Sequence, residues 1–245
     1  MQVSVIIPVR NGAATIGRAI QSILDQKGVD WEIIVADGLS TDDTEARVSA
    51  FQDARIRFIS EQDTGVYDAM NRGLQYAVGQ WIYIMGCDDV VVGPDVFAAA
   101  LHQVRANDIL VLGRIENQGS QSRWIPAEHQ SYFGWPILFR NTVHQQGVFY
   151  RRDWLEKHPF QAAYRVLADY DVHVQAYLQF GWKSKSLRPW TTTHILFARC
   201  DASGISKQFT WSLYREELRI RRRRLGVVIW LVSIPLVCLK YLLKR

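Results

Sequence analysis

The feature that most narrows what this chain can fold into is an alternation, through roughly its first hundred residues, of short β-branched runs with stretches of helical period. Val3–Val9 is apolar at nearly every position, the pattern of a strand covered on both faces rather than one with a wet side. Residues 14–26 then place Ile16, Ala19, Ile20, Ile23 and Leu24 at helical spacing. A second apolar run covers 31–36, and Thr41-Asp42-Asp43-Thr44-Glu45 supplies cap and acidic first-turn residues for a second helix. Residues 56–60 read as a third strand. Residues 66–78 read as a third helix with Tyr67, Met70, Leu74 and Ala77 on one face, and 81–85 as a fourth strand running into Gly86-Cys87-Asp88-Asp89. Such alternation builds βαβ units, hence an α/β domain on a mostly parallel sheet flanked by helices. Ligands of these sheets bind beyond the carboxyl ends of the strands, so polar residues just past those ends are the first candidates for chemistry.

The second half is less periodic. Residues 109–113, 147–150 and 191–197 read as strands and 169–180 as a helix, while 114–146, rich in Gln, Trp, Pro and Gly, reads as loops with a short hairpin. No repeat and no low-complexity linker interrupts the 245 residues, which favours one continuous domain. Cys87, Cys200 and Cys238 are odd in number and scattered, with no metal-finger spacing, as in a reduced compartment. The formal charge of +5 conceals an asymmetry: 215–245 holds nine of the 29 Lys/Arg and two of the 24 Asp/Glu, a tail of +7 on a body of −2. A body of that sign is a poor polyanion binder, which argues against a nucleic-acid partner. The first eight residues lack the basic start and apolar run of a signal peptide and read as a buried strand, so the body is expected in the cytoplasm.

Asp37 follows the second strand and Asp88-Asp89 the fourth, at the same edge of the sheet. Carboxylates grip a diphosphate only through a divalent cation, and Mg²⁺ or Mn²⁺ prefers such hard oxygen ligands. An Asp pair there equally suits a turn or the cap of a helix starting near Pro94.

Three runs, Val5-Ile6-Ile7-Pro8-Val9-Arg10-Asn11, Ile33 to Thr44 with Asp37 inside it, and Glu61 to Gly73, stand in the order and spacing of one family. With Gly79-Gln80-Trp81 ahead of Asp88-Asp89, the chain resembles the family 2 glycosyltransferases of the GT-A fold, most closely the branch that builds bacterial exopolysaccharides such as colanic acid. The resemblance implies a Rossmann-like single domain, with 1–105 as its nucleotide-sugar-binding half and 106–207 as its acceptor-binding and catalytic half. It implies Pro8 and Asn11 beside the nucleotide, Asp37 on the base, Asp88 near the ribose and Asp89 as ligand of Mn²⁺ or Mg²⁺. Met70 stands where many members carry an Arg, which leaves Arg72 as the candidate substitute. Asp169, in Ala168-Asp169-Tyr170-Asp171, matches the family's Glu-Asp motif with Ala in place of Glu and takes the role of catalytic base; an Asp there also serves as a helix cap. His144, before the strand that starts near Gly147, matches a position on the acceptor side, or is a strand-start His satisfied by backbone. Trp135 is a candidate sugar-stacking surface or a core residue. Residues 203–207, Ser-Gly-Ile-Ser-Lys, are a candidate lid.

The implied activity is inverting, metal-dependent transfer of a sugar from a UDP- or GDP-sugar to a hydroxyl of a lipid-linked saccharide in cell-surface polysaccharide synthesis. A nucleotidyltransferase would need a Gly-rich basic loop that Val9 to Ala14 does not supply, and an inactive nucleotide-sugar- or lipid-binding scaffold is the rival that Ala168 keeps open. The tail, 208–245, joins a cluster at Arg215, Arg219 and Arg221 to Arg224 to an uncharged run at 225–239 interrupted by Pro235. That run is short of the ~20 residues of a span, and basic residues flank both its ends. The expectation is an interfacial or re-entrant helix on the cytoplasmic face of the plasma membrane, with a helix packed on the body or on a second copy as the alternative.

Overall fold

The computed structural model describes residues 2–119, 124–201 and 209–244; the candidate lid at 203–207 lies outside them. The first half follows the alternation in the sequence: β1 (Val3–Val9), α1 (Ile16–Leu24), β2 (Trp31–Asp37), α2 (Thr44–Ser49), β3 (Ile56–Ser60), α3 (Val66–Tyr76) and β4 (Trp81–Ile84). A short β5 (Val90–Val91) and α4 (Val96–His102) come next, then β6 (Leu110–Gln118), β7 (Glu128–Gln130), β8 (Val148–Arg151), α5 (Arg152–Lys157), α6 (Ala168–Phe180), β9 (Trp190–Asp201) and α7 (Trp211–Lys244).

The strands form one sheet in the order β3-β2-β1-β4-β8-β6-β9-β5, with β7 on β6. Pairings among β1 to β4 are parallel, as are those of β6 with β9, but β8 lies antiparallel between β4 and β6, so the sheet is mixed. Because β4 and β8 pair, both halves of the chain share this sheet. The stretch read as loops with a short hairpin opens on such a pair: β6 runs on to Gln118 and lies antiparallel to β7, with Ile115 opposite His129. Buried Ile115 and Asn117 alternate there with the more exposed Arg114, Glu116 and Gln118.

Alternate residues of β1 serve two cores. Ile6, with Ile34 and Ile82, packs under α3 and α6, while Val3, Val5 and Ile7 pack under α1 and α4. Burial on both faces is why those runs show no polar alternation. Pro8, inside a central strand, would normally break a ladder. Here the β1–β4 register ends at Ile6↔Ile84, so the missing N–H lies past the last partner on that side.

Residues 211–244 do not form one rod. Gly226 takes φ +81°, and Tyr241 returns to within 5.3 Å of Trp211, ring centre to ring centre. A straight helix would hold those residues about 45 Å apart. The two limbs therefore fold back on each other, and Lys240 Nζ meets Glu217 at 3.1 Å. An 18-residue window of this region has a mean hydropathy of 2.1, enough by composition for a span. The outward face of the second limb is apolar, with Val228, Leu231, Val232, Leu236, Leu239 and Leu242 exposed, while Ser233 and Val237 face inward.

Gly79 brings the start of β4 against β1. A Cβ there would lie 2.5 Å from the backbone nitrogen of Ser4, which cannot move without breaking the β1 ladder. Gly79→Ala should lower stability by about 1–3 kcal/mol, read as an earlier urea midpoint at unchanged slope.

Candidate active site

The parallel half of the sheet brings the ends of β1, β2 and β4 to one edge. The loops after β1 and β2 are stitched together there. Asn11 adopts φ +56°, a conformation Asn tolerates, and its side-chain oxygen accepts the Thr41 N–H at 2.8 Å. Its own N–H donates to Ser40 Oγ at 2.7 Å, and Gly12 N–H donates to Thr44 Oγ1 at 2.9 Å. Asp37, at the end of β2, is buried and accepts from the Ser40 N–H (3.0 Å), the Ser40 hydroxyl and the Ser60 hydroxyl (2.6 Å). Neutral donors thus hold the carboxylate in place and leave its charge uncancelled by any cation in these contacts. Pro8, one residue before the end of β1, lies beside this loop, paired with Ala36.

Beyond β4, Gly86 lets the chain turn so tightly that a Cβ at that position would sit 2.6 Å from Asp89 Oδ2 and 2.7 Å from Asp88 Oδ1. Two carboxylates converge on one spot. Asp88 is half-buried, whereas Asp89 is buried and held by Gln146 Nε2 at 2.7 Å and by the Asp201 N–H at 3.0 Å. Convergent hard oxygens on a turn fit a divalent cation that completes its shell with phosphates and water. No group of three or more His, Cys, Asp or Glu among the described residues would enclose a metal without that help. Cys87, between Gly86 and Asp88, packs toward the core beneath α1 and lies 3.9 Å from the Thr15 hydroxyl.

Asp169 opens α6. Its Oδ2 accepts from Asn141 Nδ2 at 3.0 Å, and the Tyr67 hydroxyl sits 3.1 Å from Oδ1 and 2.6 Å from the Val166 carbonyl oxygen. Burial raises its pKa to about 6, and the donors from Tyr67 and Asn141 pull the other way without cancelling that effect. A carboxyl tuned there is ionised at neutral pH yet basic enough to take a proton. Asn141, at Asp169, and Gln146, at Asp89, are five positions apart in the chain. Their backbones are therefore at most roughly 18 Å apart, which ties the two carboxylates to opposite ends of one short span.

The remaining candidates fall as follows. His144 lies in that span; its ring Nδ1 accepts the Gln146 N–H at 3.4 Å, and its backbone N–H donates to Ser131 Oγ at 3.0 Å. Trp135 is 66% exposed on a single 3₁₀ turn, so it is a surface ring and not core. Arg72, on α3, pairs with Glu61 at 3.1 Å and Asp68 at 3.4 Å. Sequence reasoning missed the residues that orient the carboxylates. Tyr67 was counted as apolar helix face, and only the tertiary fold shows where its hydroxyl goes. Asn141 and Gln146 lie in a stretch without period, which gives neither a partner.

A parallel sheet with carboxylates gathered beyond its strand ends is suited to a nucleotide held through a divalent cation. Comparison with known proteins agrees. A model of the family described as Glycosyl transferase family 2 matches residues 4–171, and the chain belongs to that family. It is 34% identical over 212 residues to the PGL/p-HBAD biosynthesis glycosyltransferase of Mycobacterium bovis, covering 84% of this chain and 81% of that one. It is 38% identical over 89 residues to the UDP-Glc:alpha-D-GlcNAc-diphosphoundecaprenol beta-1,3-glucosyltransferase WfgD of Escherichia coli, covering 36% of this chain and 35% of that one. Among solved structures it shares its fold with glucosyl-3-phosphoglycerate synthase from Mycobacterium tuberculosis in complex with Mn²⁺, uridine-diphosphate and phosphoglyceric acid. That match has a TM-score of 0.64 and 20% identity and covers 92% of this chain and 79% of that one. The chain is a glycosyltransferase of GT-A-like fold.

The carboxyl of Asp169 should titrate near pH 6 by carboxylate infrared absorption, as the component missing from Asp169→Asn. Asn141→Ala removes a donor that favours the ionised form, so the midpoint should rise, by about one pH unit. A midpoint that stays or falls would contradict the assigned contact.

Proposed function

We propose that the chain moves a sugar from a nucleoside diphosphate, UDP or GDP, to a hydroxyl of a lipid-linked saccharide, with inversion, during the building of a cell-surface polysaccharide. The observation that carries this reading is Asp169: a buried carboxyl, its pKa raised to about 6, held on both oxygens by neutral donors. In the proposed step the acceptor hydroxyl gives its proton to Asp169 as its oxygen bonds to the anomeric carbon. The bond from that carbon to the diphosphate oxygen breaks, and its electron pair leaves with the diphosphate. Inversion follows from a single in-line displacement. Since the base works ionised, turnover fades as pH falls through about 6.

On the donor side, Asp37 accepts from the base, Pro8 and Asn11 line the nucleotide, and Asp88 meets the ribose. Asp89 holds the cation, oriented by Gln146. Mn²⁺ or Mg²⁺ bound there would supply positive charge to the phosphates as the leaving group becomes more negative. Arg72 is assigned to the donor more weakly, because Glu61 and Asp68 already engage it. On the acceptor side, Trp135 offers an exposed ring on which a sugar can stack, and His144 stands in the span between Asp89 and Asp169.

A lipid-linked acceptor is supported from two directions. The name of the Escherichia coli relative states a diphosphoundecaprenol-linked substrate. The second limb of α7 turns an apolar stripe outward, which suits the acyl boundary of a membrane, with Arg222 and Arg223 exposed on the other limb for anionic headgroups. We therefore read the protein as monotopic, at the cytoplasmic face of the plasma membrane, with 208–245 as its membrane-associating part.

Two measurements test the reading. Thermal unfolding of the detergent-solubilised chain with UDP, GDP, CMP or dTDP, each with and without Mn²⁺, should show one diphosphate that stabilises only with metal. At 100 times its Kd the gain should be about 2.7 kcal/mol, and Asp89→Ala should abolish it. If none binds, the donor half of the reading fails. Vesicle flotation should show the chain on membranes containing anionic lipid, and Val228→Asp with Leu231→Asp should release most of it. Unchanged flotation of that variant would remove the membrane role of the stripe.

A further inference from the structure

The first limb of α7 does more than present a basic surface. Its buried residues, among them Leu213, Glu216, Glu217, Ile220 and Arg221, repeat at helical spacing and face the body. Of its polar members, Glu216 and Arg221 reach segments that flank Asp169, while Glu217 pairs with Arg221 and Lys240 within the hairpin. Glu216 is buried, and its carboxylate accepts three successive backbone N–H groups, from Arg165 at 2.7 Å, Val166 at 2.9 Å and Leu167 at 3.1 Å. These precede α6, whose cap residue Leu167 has no side chain able to accept them. A carboxylate from elsewhere in the chain thus fills an anion nest at the helix start. One turn on, Arg224 forms a bidentate pair with the fully buried Asp171, at 2.8 and 2.7 Å. The limbs also grip the other partner of Asp169: Arg221 and Lys240 both donate to the Phe139 carbonyl oxygen, two residues before Asn141. Tyr67, the remaining partner, sits 2.6 Å from the carbonyl oxygen of Val166, whose own N–H Glu216 takes.

We propose that Glu216 and Arg224 are positioning residues for the reaction: from the C-terminal hairpin they hold the 165–171 turn so that the Asp169 carboxylate keeps its place between Asn141 and Tyr67. The inference rests on the reading of Asp169 as base. Among the described residues, the hairpin's hydrogen bonds to Phe139, Arg165, Val166, Leu167 and Asp171 fall on the two sides of Asp169, on the acceptor half of the proposed reaction. The seating of the hairpin and the aim of the base are one mechanical unit. Apart from Arg223 on Gln161 and the apolar packing of Leu213, Ile220 and Val237, the hairpin's contacts with the body named here fall on both sides of one carboxylate.

The test uses the full chain in detergent. The groups facing Asp169 are Tyr67 from α3, Tyr150 from β8 and Asn141 from the loop before β8, and none is altered. In Glu216→Ala the freed turn should admit water to Asp169, and its infrared titration midpoint should fall from about 6 by about one pH unit or more, toward the ordinary carboxyl range. Amide hydrogen exchange of 165–171 should quicken at least tenfold. Binding of the diphosphate found by thermal unfolding should stay within twofold of the parent chain. Glu216→Gln, which keeps one accepting oxygen, should lie between the two, as should Arg224→Lys; Arg219→Ala, exposed on the same limb, should do nothing. If Glu216→Ala fails to fold, the Gln variant carries the decision. An unmoved titration and unmoved exchange in a folded variant overturns the inference, and so does equal loss of diphosphate binding, the mark of a general destabilisation. Failure of the parent reading looks different. Asp169→Asn with normal turnover would remove the base, whereas an inactive Asp169→Asn beside an unmoved titration in Glu216→Ala sinks the positioning role alone.

Discussion

The structure depends on β1 lying parallel between β2 and β4, with both of its faces dry. From that one constraint follow the apolar run Val3–Val9, the helices needed on either side of the sheet, and the collection of three strand ends at one edge. Asp37 and the Asp88-Asp89 pair are far apart in sequence and neighbours across β1 only because the register makes them so. Pro8 is tolerated in β1 because β4 stops before reaching it. Even the close approach of Gly79 to Ser4 belongs to this constraint, since β4 begins where backbone meets backbone.

Aspartates of the same chemistry sit in different surroundings in this fold. Asp37 is surrounded by hydroxyls and a backbone N–H that hold it as an acceptor. Asp89 is oriented by an amide and a backbone N–H and shares its turn with a second carboxylate, which suits cation binding. Asp169 is withdrawn from water with only neutral donors for company, and its pKa climbs to about 6. Asp171, two residues along the same helix, meets a guanidinium instead and becomes a structural anchor. Environment, not residue type, separates acid–base work from ligation and from bracing.

The C-terminal hairpin reverses the usual amphipathic arrangement. A helix on a soluble body normally turns its polar side outward. Here the outward stripe of the second limb is apolar, and polar Ser233 and Lys240 face the protein. Mean hydropathy alone would suggest a span. The positive φ at Gly226 and the return of Tyr241 to Trp211 make a folded-back pair instead, with one face committed to the body and one available to lipid. The alternative expectation, a helix packed on the body, describes the inward side of this hairpin, and the interfacial helix is the reading proposed for its outward side.

Periodicity and local chemistry determined a good deal from the sequence alone. The parallel half of the sheet, the helices between its strands, the family, and Asp37, Asp88, Asp89 and Asp169 as the residues to examine were all legible, because strand and helix periods and the motifs around them are short-range signals. What lay beyond reach were contacts between residues distant in the chain. The reversal of β8, Tyr67 and Asn141 at Asp169, Gln146 at Asp89, and Glu216 closing the nest at 165–167 leave no periodic trace. A side chain's partner across the fold is set by the register of the sheet and the packing of its helices, and these exist only once the whole chain has closed on its core.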